Sequence, residues 1–318
     1  MKKKRTQKQR KRIMKKTRTY KKRITKGGKK KSDSNNVNCS PKPKGEVNDF
    51  SCYTDATLYK LRELWNARHP DAKIKTNDTK EIHMMLSNYF KGVCNKESCW
   101  LKQKAEFGKI EHEMTDSFAP VSPEEWKKNP TEWLTSVDII NVMKQYETAY
   151  KCFDFLGPSP IDFDTRKMYG ECVWDELCNF NLSQQIKSGK TKIGMIFNTD
   201  PHNKPGQHWL SMFVDIKKQK IFFFDSVGDK IPKQIMVLVD RIKEQGLAMS
   251  PPKNFEFDQN HPVEHQYGTT ECGIYSLFFI VHMLEDQITK EYLKTHILKD
   301  KHMINFRKIY FNDPINFS

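Results

Sequence analysis

A cysteine and a glutamine with the spacing of an acyl-transfer site lie directly before an apolar segment. The stretch Gln266-Tyr-Gly-Thr-Thr-Glu-Cys272-Gly273 leads into residues 274–284, whose apolar character predicts a buried helix. A cysteine at the start of such a helix has its sulfur near backbone N–H groups and the positive end of the helix dipole. Both favour the thiolate, which is the nucleophilic form of the side chain. Gln266 can present an amide donor to the same place.

A histidine and an aspartate that could activate this cysteine lie upstream, on two predicted strands. Residues 208–215 alternate in the manner of a half-buried strand, and residues 220–224 form a second strand after a short turn. In an antiparallel pair joined by so short a turn, the first residue of one strand lies beside the last residue of the next. His208 and Asp225 are therefore expected on neighbouring strand ends, as a base and the carboxylate that orients it require.

Several motifs in this order resemble the SUMO-deconjugating (ubiquitin-like-protein) cysteine proteases, the clan that also contains the adenovirus protease. These motifs are His208-Trp209, Asp225-Ser226, Gln266 and Glu271-Cys272-Gly273, preceded by Trp133-Leu134 with Asp138 shortly after it. The resemblance covers roughly residues 130–300. The papain order, with cysteine first and histidine last, is excluded. One departure is Tyr-Gly-Thr-Thr-Glu before the cysteine, where the family more often has Asn/Gly-x-Asp, a difference that concerns the loop more than the chemistry.

The resemblance implies a papain-like-clan cysteine protease core of the SUMO protease and adenovirus protease type. Its chemistry would be peptide or isopeptide hydrolysis, with Cys272 as nucleophile and His208 as general base and then acid. Asp225 would fix the imidazole tautomer, and Gln266 with the backbone N–H of Cys272 would form the oxyanion hole.

The resemblance also implies how the substrate is selected. Trp209 would roof a narrow channel that admits only Gly-Gly on the acyl side, and Trp133 would contribute to substrate binding. Specificity would then come from steric exclusion of side chains, and the partner would be a protein carrying a Gly-Gly motif.

The sequence is compatible with two classes of protease substrate and with one function that is not enzymatic. One reading is an endopeptidase that processes viral structural polyproteins at Gly-Gly-X during virion maturation, and the other is a deconjugase of SUMO or another ubiquitin-like modifier. The region ahead of the core resembles the N-terminal extension of proteases from large DNA viruses, which favours the first. A nucleic-acid-associated virion structural protein with an inactive site is the third alternative, and the complete set of catalytic residues argues against it.

The basic charge of the chain is concentrated at its start. The formal net charge is +16, but residues 1–31 carry 18 Lys and Arg and no Asp or Glu, which leaves the rest near neutrality. Such a segment predicts disorder and salt-sensitive contact with nucleic acid. It holds the single Gly-Gly of the chain, Gly27-Gly28, which we expect to be a self-processing site. The expected location is the virion and the host cytoplasm, with the nucleus as an alternative reached through the basic tail.

The pattern of elements predicts an α+β fold in three regions. These are a disordered tail and linker (residues 1–48), a helical module (residues 49–125) and the catalytic domain (residues 126–318). A helical pattern is expected from Phe50 through Trp65, with Ser51 or Thr54 as possible caps. Further expected helices cover about 78–89, 135–147, 174–186, 232–245 and 272–284, expected strands cover 192–198, 208–215, 220–224 and about 255–257, and a loop is expected at 153–163.

The cysteines and the apolar runs limit which metal sites, cofactors and membrane segments the sequence allows. Eight cysteines without a small-domain disulfide framework predict free thiols in a reducing compartment. The pairs Cys94/Cys99 and Cys172/Cys178 could be considered for zinc, but the spacing is loose and no histidine stands at ligand spacing, so neither metal nor cofactor is predicted. No secretory signal is recognised, and the apolar run at 274–284 is too short to cross a bilayer. The sequence does not predict the oligomeric state.

Overall fold

The computed structural model describes residues 37–42, 48–94, 96–107, 114 and 116–314. The chain divides into two compact units. Among the described residues, the sheet unit consists of 133–139 and 151–306, and the helical unit consists of the residues up to 132, of 140–150 and of those from 307 onward. The basic tail with Gly27-Gly28 lies outside the described residues, so the expectations for it stay predictions, as do the domain boundaries at 48 and 125.

The helices and strands are numbered here in chain order. The helices before the sheet are α1 Asp55–Arg68, α2 Thr79–Tyr89, α3 Glu97–Trp100, α4 Lys104–Phe107 and α5 Ser136–Ala149, with a 3₁₀ turn at Glu124–Lys127. The remaining elements are β1 Phe153–Pro160, α6 Asp175–Cys178, α7 Leu182–Lys187, β2 Lys192–Asn198, β3 Trp209–Asp215, β4 Lys220–Phe224, α8 Lys233–Leu247, β5 Glu256–Gln259, α9 Cys272–Leu284, α10 Lys290–Leu293 and α11 Asp300–Tyr310.

Side-chain caps begin the two longer helices of the helical unit. Thr54 accepts a hydrogen bond from the Thr57 N–H, and Asp78 accepts one from the Glu81 N–H, so the first turns of α1 and α2 have partners for their backbone donors. The expected positions of both helices are confirmed. Tyr89, the last residue of α2, is 41% exposed, so it does not belong to the buried face of this helix.

The helical unit also joins residues from both ends of the described chain. Val37 is fully buried. The side-chain oxygen of Asn312 accepts from the Asn38 N–H at 2.6 Å, and the Asn312 amide donates to the carbonyls of Asn38 and Ala119 at 2.9 Å each. Asn312 is itself fully buried, so these bonds satisfy a polar group that has no access to water.

The sheet unit contains a five-stranded mixed sheet in the order β1-β2-β3-β4-β5. Strands β2, β3 and β4 form an antiparallel meander, and each outer strand pairs in parallel with its neighbour. The predictions for β2, β3 and β4 are confirmed, because their apolar runs are uninterrupted by Gly-Pro or Pro-Gly pairs. Short strands and helices within one unit confirm the α+β class.

Two predictions for this unit are wrong. Residues 153–160 form edge strand β1 where a loop was expected, since Gly157 and Pro158 counted against a strand. An edge strand tolerates proline, and the pairing with β2 shifts register between Leu156 and Ser159 to accommodate it. The single helix expected at 174–186 is two short helices, because Asn181 leaves the helical conformation and caps α7.

The sheet is covered on both faces. One face packs against α8 in an apolar core that includes Met195, Met212 and Leu238. The other face packs against α9, whose Phe279 stacks on Phe224 with ring centroids 5.0 Å apart. A Cβ on Gly194 of β2 would lie 2.7 Å from Ile280, so that glycine sets how closely α9 approaches the sheet. The helix is buried on every side, as its uniform apolar character predicted.

The expectation of free thiols throughout is wrong for six cysteines. Disulfides join Cys39 to Cys52, Cys94 to Cys99 and Cys172 to Cys178, whereas Cys152 and Cys272 are free. The two pairs considered for zinc are therefore disulfides. Sequence spacing could not separate these outcomes, because turns that bring two sulfurs together serve a metal and a disulfide alike. In the described part of the chain, no helix combines the length and apolarity needed to cross a membrane.

Candidate active site

The nucleophile predicted from the sequence lies at the first position of α9. Cys272 is buried, with 2% of its surface exposed. Glu271 precedes it as the N-cap residue and makes no side-chain cap hydrogen bond. The sulfur thus lies at the N-terminal end of a buried helix, where the dipole favours an anion.

His208 connects this sulfur to Asp225. The imidazole Nε2 lies 2.7 Å from Asp225 Oδ1. Cys272 lies close enough to the ring to contribute to raising the pKa of His208. The expected placement of His208 and Asp225 on neighbouring strand ends is confirmed, since one precedes β3 and the other follows β4. The three side chains therefore lie together, with His208 hydrogen-bonded to Asp225 and interacting with Cys272.

The charges in this row determine its protonation. Burial of His208 acts to lower its pKa, but the hydrogen bonds to Asp225 and Cys272 and the negative charges of both groups outweigh burial. Together they raise the pKa of His208 from 6.5 to about 10. At neutral pH the imidazole therefore carries a proton and faces the sulfur as a cation, an arrangement that favours an ion pair with the thiolate.

Asn260 holds the backbone of Asp225 and was not predicted from the sequence. Its side-chain oxygen accepts from the Asp225 N–H at 2.9 Å, and its amide donates to the Asp225 carbonyl at 2.7 Å and to that of Val263 at 2.9 Å. Asn260 is fully buried. Its role depends on the parallel pairing of β5 with β4, and no local sequence signal connects it to a carboxylate 35 residues away.

Ser226 holds Gln266 by two hydrogen bonds and the neighbouring His265 by a third. The Ser226 carbonyl accepts from the N–H groups of His265 and Gln266 at 2.8 Å each, and its hydroxyl donates to Gln266 Oε1 at 2.8 Å. The Gln266 amide nitrogen donates to the Gly268 carbonyl at 2.7 Å. An amide nitrogen has two hydrogens, so one serves this loop and a second remains for another acceptor. Gln266 is thereby tied to the residue that follows Asp225.

The two predicted substrate-binding tryptophans lie around the residue after the nucleophile. Trp209 is half-buried, and its indole N–H donates to the Leu134 carbonyl at 3.0 Å. A Cβ on Gly273 would lie 3.0 Å from Leu134 Cβ and 3.2 Å from Trp209 Cδ1. Trp133, which adjoins Leu134, is 39% exposed. A side chain at position 273 would therefore be accommodated only if Leu134 or Trp209 moved slightly.

Comparisons with known proteins agree with this architecture. Residues 184–316 match the Ulp1 protease family, C-terminal catalytic domain. The chain is 29% identical over 245 residues to a protein of Acanthamoeba polyphaga mimivirus named as a thiol protease, which covers 76% of this chain and 78% of that protein. It is 26% identical over 260 residues to a cysteine protease of African swine fever virus, covering 76% of this chain and 91% of the viral protein.

A solved structure of a viral protease has the same fold as this chain. The crystal structure of the African swine fever virus protease matches with a TM-score of 0.57 over 88% of this chain and 97% of the viral chain, at 21% identity. Residues 184–316 of this chain therefore resemble the C-terminal catalytic domain of the Ulp1 protease family, and the chain shares the fold of the viral protease.

Proposed function

We propose that the protein is a cysteine endopeptidase that cleaves after Gly-Gly and processes viral structural polyproteins during virion maturation. The row Asp225–His208–Cys272 is the observation that carries this proposal, because it supplies a nucleophile, a proton carrier and a group that orients the carrier. The viral proteases among its relatives support the viral setting.

The reaction begins from the thiolate–imidazolium pair. The Cys272 sulfur attacks the scissile carbonyl carbon, forms a C–S bond and moves the carbonyl π electrons onto oxygen. The carbonyl re-forms as the C–N bond breaks, and His208 transfers its proton to the leaving amine. Water then attacks the thioester carbon and gives a proton to His208. The C–S bond breaks, which releases the carboxylic acid and restores the thiolate–imidazolium pair. Asp225 stabilises the imidazolium while it exists.

The negative charge on the carbonyl oxygen requires donors that are already in place. The backbone N–H of Cys272 and the remaining amide hydrogen of Gln266 are the donors we assign, because the Ser226 bonds fix the orientation of the glutamine carboxamide. Losing one such donor costs about 3 kcal/mol in the activation barrier.

Selection of Gly-Gly is supported by the close packing beside the nucleophile. The Trp209 indole is anchored to the Leu134 backbone, and a Cβ at position 273 would lie closer to Leu134 and Trp209 than ordinary van der Waals contact allows. A substrate backbone passing along this wall would have no room for side chains at the two residues before the cleaved bond. Glycine is then the residue that is tolerated there.

Cleavage of two matched substrates tests the proposal. One is an unstructured peptide containing Gly-Gly-X, and the other is a SUMO-type modifier with a C-terminal extension. The Cys272→Ala variant should cleave neither. Cys152→Ala, which removes the other free cysteine among the described residues, should behave like the unmodified protein.

The pattern of cleavage separates the candidate functions. Cleavage of the peptide supports a polyprotease that reads a short linear motif, and replacing either glycine by alanine should abolish it. Cleavage of the folded modifier alone would replace the proposal with deconjugation. A protein that cuts neither substrate, and whose Cys272 ignores an electrophilic Gly-Gly probe, would refute the enzymatic assignment.

A further inference from the structure

A single carboxylate joins the two elements that carry the assigned oxyanion donors. Asp300 is the first residue of α11. Its Oδ2 accepts from the N–H groups of Tyr267 and Gly268, at 3.1 and 2.9 Å. Its Oδ1 lies 2.9 Å from the hydroxyl oxygen of Tyr275.

The first two of these bonds fix the loop that contains Gln266. Tyr267 and Gly268 directly follow that glutamine, and the Gln266 amide donates to the carbonyl of the same Gly268 whose N–H binds Asp300. The loop backbone is therefore held on one side by Ser226 and on the other by Asp300. Displacement of this loop would move the carboxamide that is assigned to the oxyanion.

The third contact fixes the helix that begins with the nucleophile. Tyr275 lies three residues after Cys272 in α9 and is fully buried. Its hydroxyl also lies 3.0 Å from the His265 carbonyl oxygen and 2.9 Å from that of Leu298. Burial, followed by the charge and hydrogen bond of Asp300, raises the pKa of Tyr275 far above its ordinary value, so the hydroxyl remains a donor.

We propose that Asp300 is a positioning residue that sets the distance between the Gln266 amide and the backbone N–H of Cys272, and so determines the geometry of the oxyanion hole. This inference rests on the proposed protease function. Asp300 itself touches neither substrate nor sulfur. It acts through the backbone of residues 267–268 and through the Tyr275 hydroxyl.

A geometric role in the oxyanion hole has a consequence that a general structural role lacks. Hydrolysis of an amide passes through an intermediate with a negatively charged oxygen, whereas alkylation of Cys272 by iodoacetamide does not place charge on a carbonyl oxygen. Loss of Asp300 should therefore slow cleavage and leave alkylation almost unchanged. Unfolding or displacement of the whole site would slow both reactions.

The experiment compares Asp300→Ala, Asp300→Asn and Tyr275→Phe in the full chain. Asp300→Ala should reduce kcat for a Gly-Gly-X peptide about 10- to 100-fold, less than the loss of an oxyanion donor itself, with KM changed by less than about 2-fold. Asp300→Asn retains an acceptor oxygen without the charge and should lose less. Tyr275→Phe keeps the loop bonds and should also lose less than the alanine variant.

Asp258→Ala is the matched control. Asp258 also joins two elements, since it belongs to β5 and forms an ion pair with Lys294 just beyond α10, but it has no contact with the loop at 266–268 in the described hydrogen bonds. Its removal should change kcat by less than about 2-fold. This change is smaller than the loss of about 10- to 100-fold expected for Asp300→Ala.

The outcomes separate this inference from the function on which it rests. Unchanged kcat in folded Asp300→Asn and Tyr275→Phe, or an alkylation rate that falls by the same factor as cleavage, overturns the positioning role while the protease assignment stands. If Asp300→Ala does not fold, the other two variants decide the question. Unmodified protein that is alkylated at Cys272 but cleaves no Gly-Gly substrate overturns both.

Discussion

Replacing Asp225 by asparagine is expected to lower the pKa of His208 and to narrow the pH range in which the thiolate–imidazolium pair persists. Asparagine has nearly the same shape and keeps an oxygen that can face Nε2, but it removes the negative charge that lies 2.7 Å away. The change therefore isolates the electrostatic contribution of Asp225 from its packing. Its backbone bonds with Asn260 do not depend on the side chain.

The size of the effect follows from the raised pKa. A rise from 6.5 to about 10 corresponds to roughly 5 kcal/mol of preference for the protonated ring, at about 1.36 kcal/mol for each pKa unit. Asp225 and Cys272 supply this preference together, against the opposing effect of burial. A hydrogen bond to a charged partner contributes about 1.5–3 kcal/mol, so Asp225→Asn should lower the pKa of His208 by about 1 to 2 units.

The rate of alkylation of Cys272 as a function of pH measures this change. In the unmodified protein, the imidazolium should persist until the pH approaches 10, the pKa of His208. In Asp225→Asn that basic limit should move down to about 8–9. Asp215→Asn, which changes a buried carboxylate at the other end of β3, should leave the limit in place. An identical limit in Asp225→Asn and the unmodified protein would refute the electrostatic reasoning.

Folding stability should respond to the same perturbation with a defined sign. Because folding raises the pKa of His208, its stabilising contribution is complete below about pH 6.5 and is lost as the pH rises through about 10. Urea unfolding at the two ends of this range should show a smaller difference for Asp225→Asn than for the unmodified protein. An equal difference would mean that other groups produce the pH dependence.

Three further predictions concern packing and buried polar groups. Gly273→Ala should destabilise the protein by about 1–3 kcal/mol in thermal unfolding and lower kcat, because the new methyl group would overlap Leu134 and Trp209; an unchanged melting temperature would contradict the crowding. Asn260→Ala leaves a buried N–H and carbonyl without their partner and should cost about 2–3 kcal/mol in urea unfolding, together with part of the activity; full activity would show that this bond pair does not position the carboxylate. Burial lowers the pKa of His282 to about 3, so stability should fall as the pH drops from about 6.5 toward 3; His282→Gln should flatten that decline in an acid titration followed by circular dichroism, and an unaltered acid midpoint would argue against it.

The active site was predictable because its chemistry coincides with strong local patterns. The alternation that ends at Asp215 and the apolar run of β4 fixed a hairpin, and a hairpin brings its two ends together whatever surrounds it. The uniform apolar run after Cys272 identified a buried helix and therefore the position of its first residue. Each inference needed only neighbours along the chain.

The residues that hold the site in place were not predictable, because they act across long sequence separations. Asn260 reaches Asp225 through a parallel strand pairing, and Asp300 reaches the Gln266 loop from a helix 32 residues later. Strand β1 was missed for a related reason, since its Gly-Pro pair is unfavourable locally and is tolerated only at the edge of a sheet. Whether two cysteines form a disulfide depends in the same way on the conformation of the chain between them, which their spacing does not show.

The bonds between Asn38 and Asn312 define where the chain can be shortened. Cleavage after Gly28 would remove most of the basic residues of the tail (residues 1–31) and leave Val37 and Asn38 in the chain. Trimming the chain beyond Asn38 would instead remove the backbone partners of the fully buried Asn312 and open the apolar site filled by Val37. The shortest version of the protein that keeps its helical unit whole therefore begins at or before Val37, and a library of N-terminal truncations should show a sharp fall in soluble yield at that point.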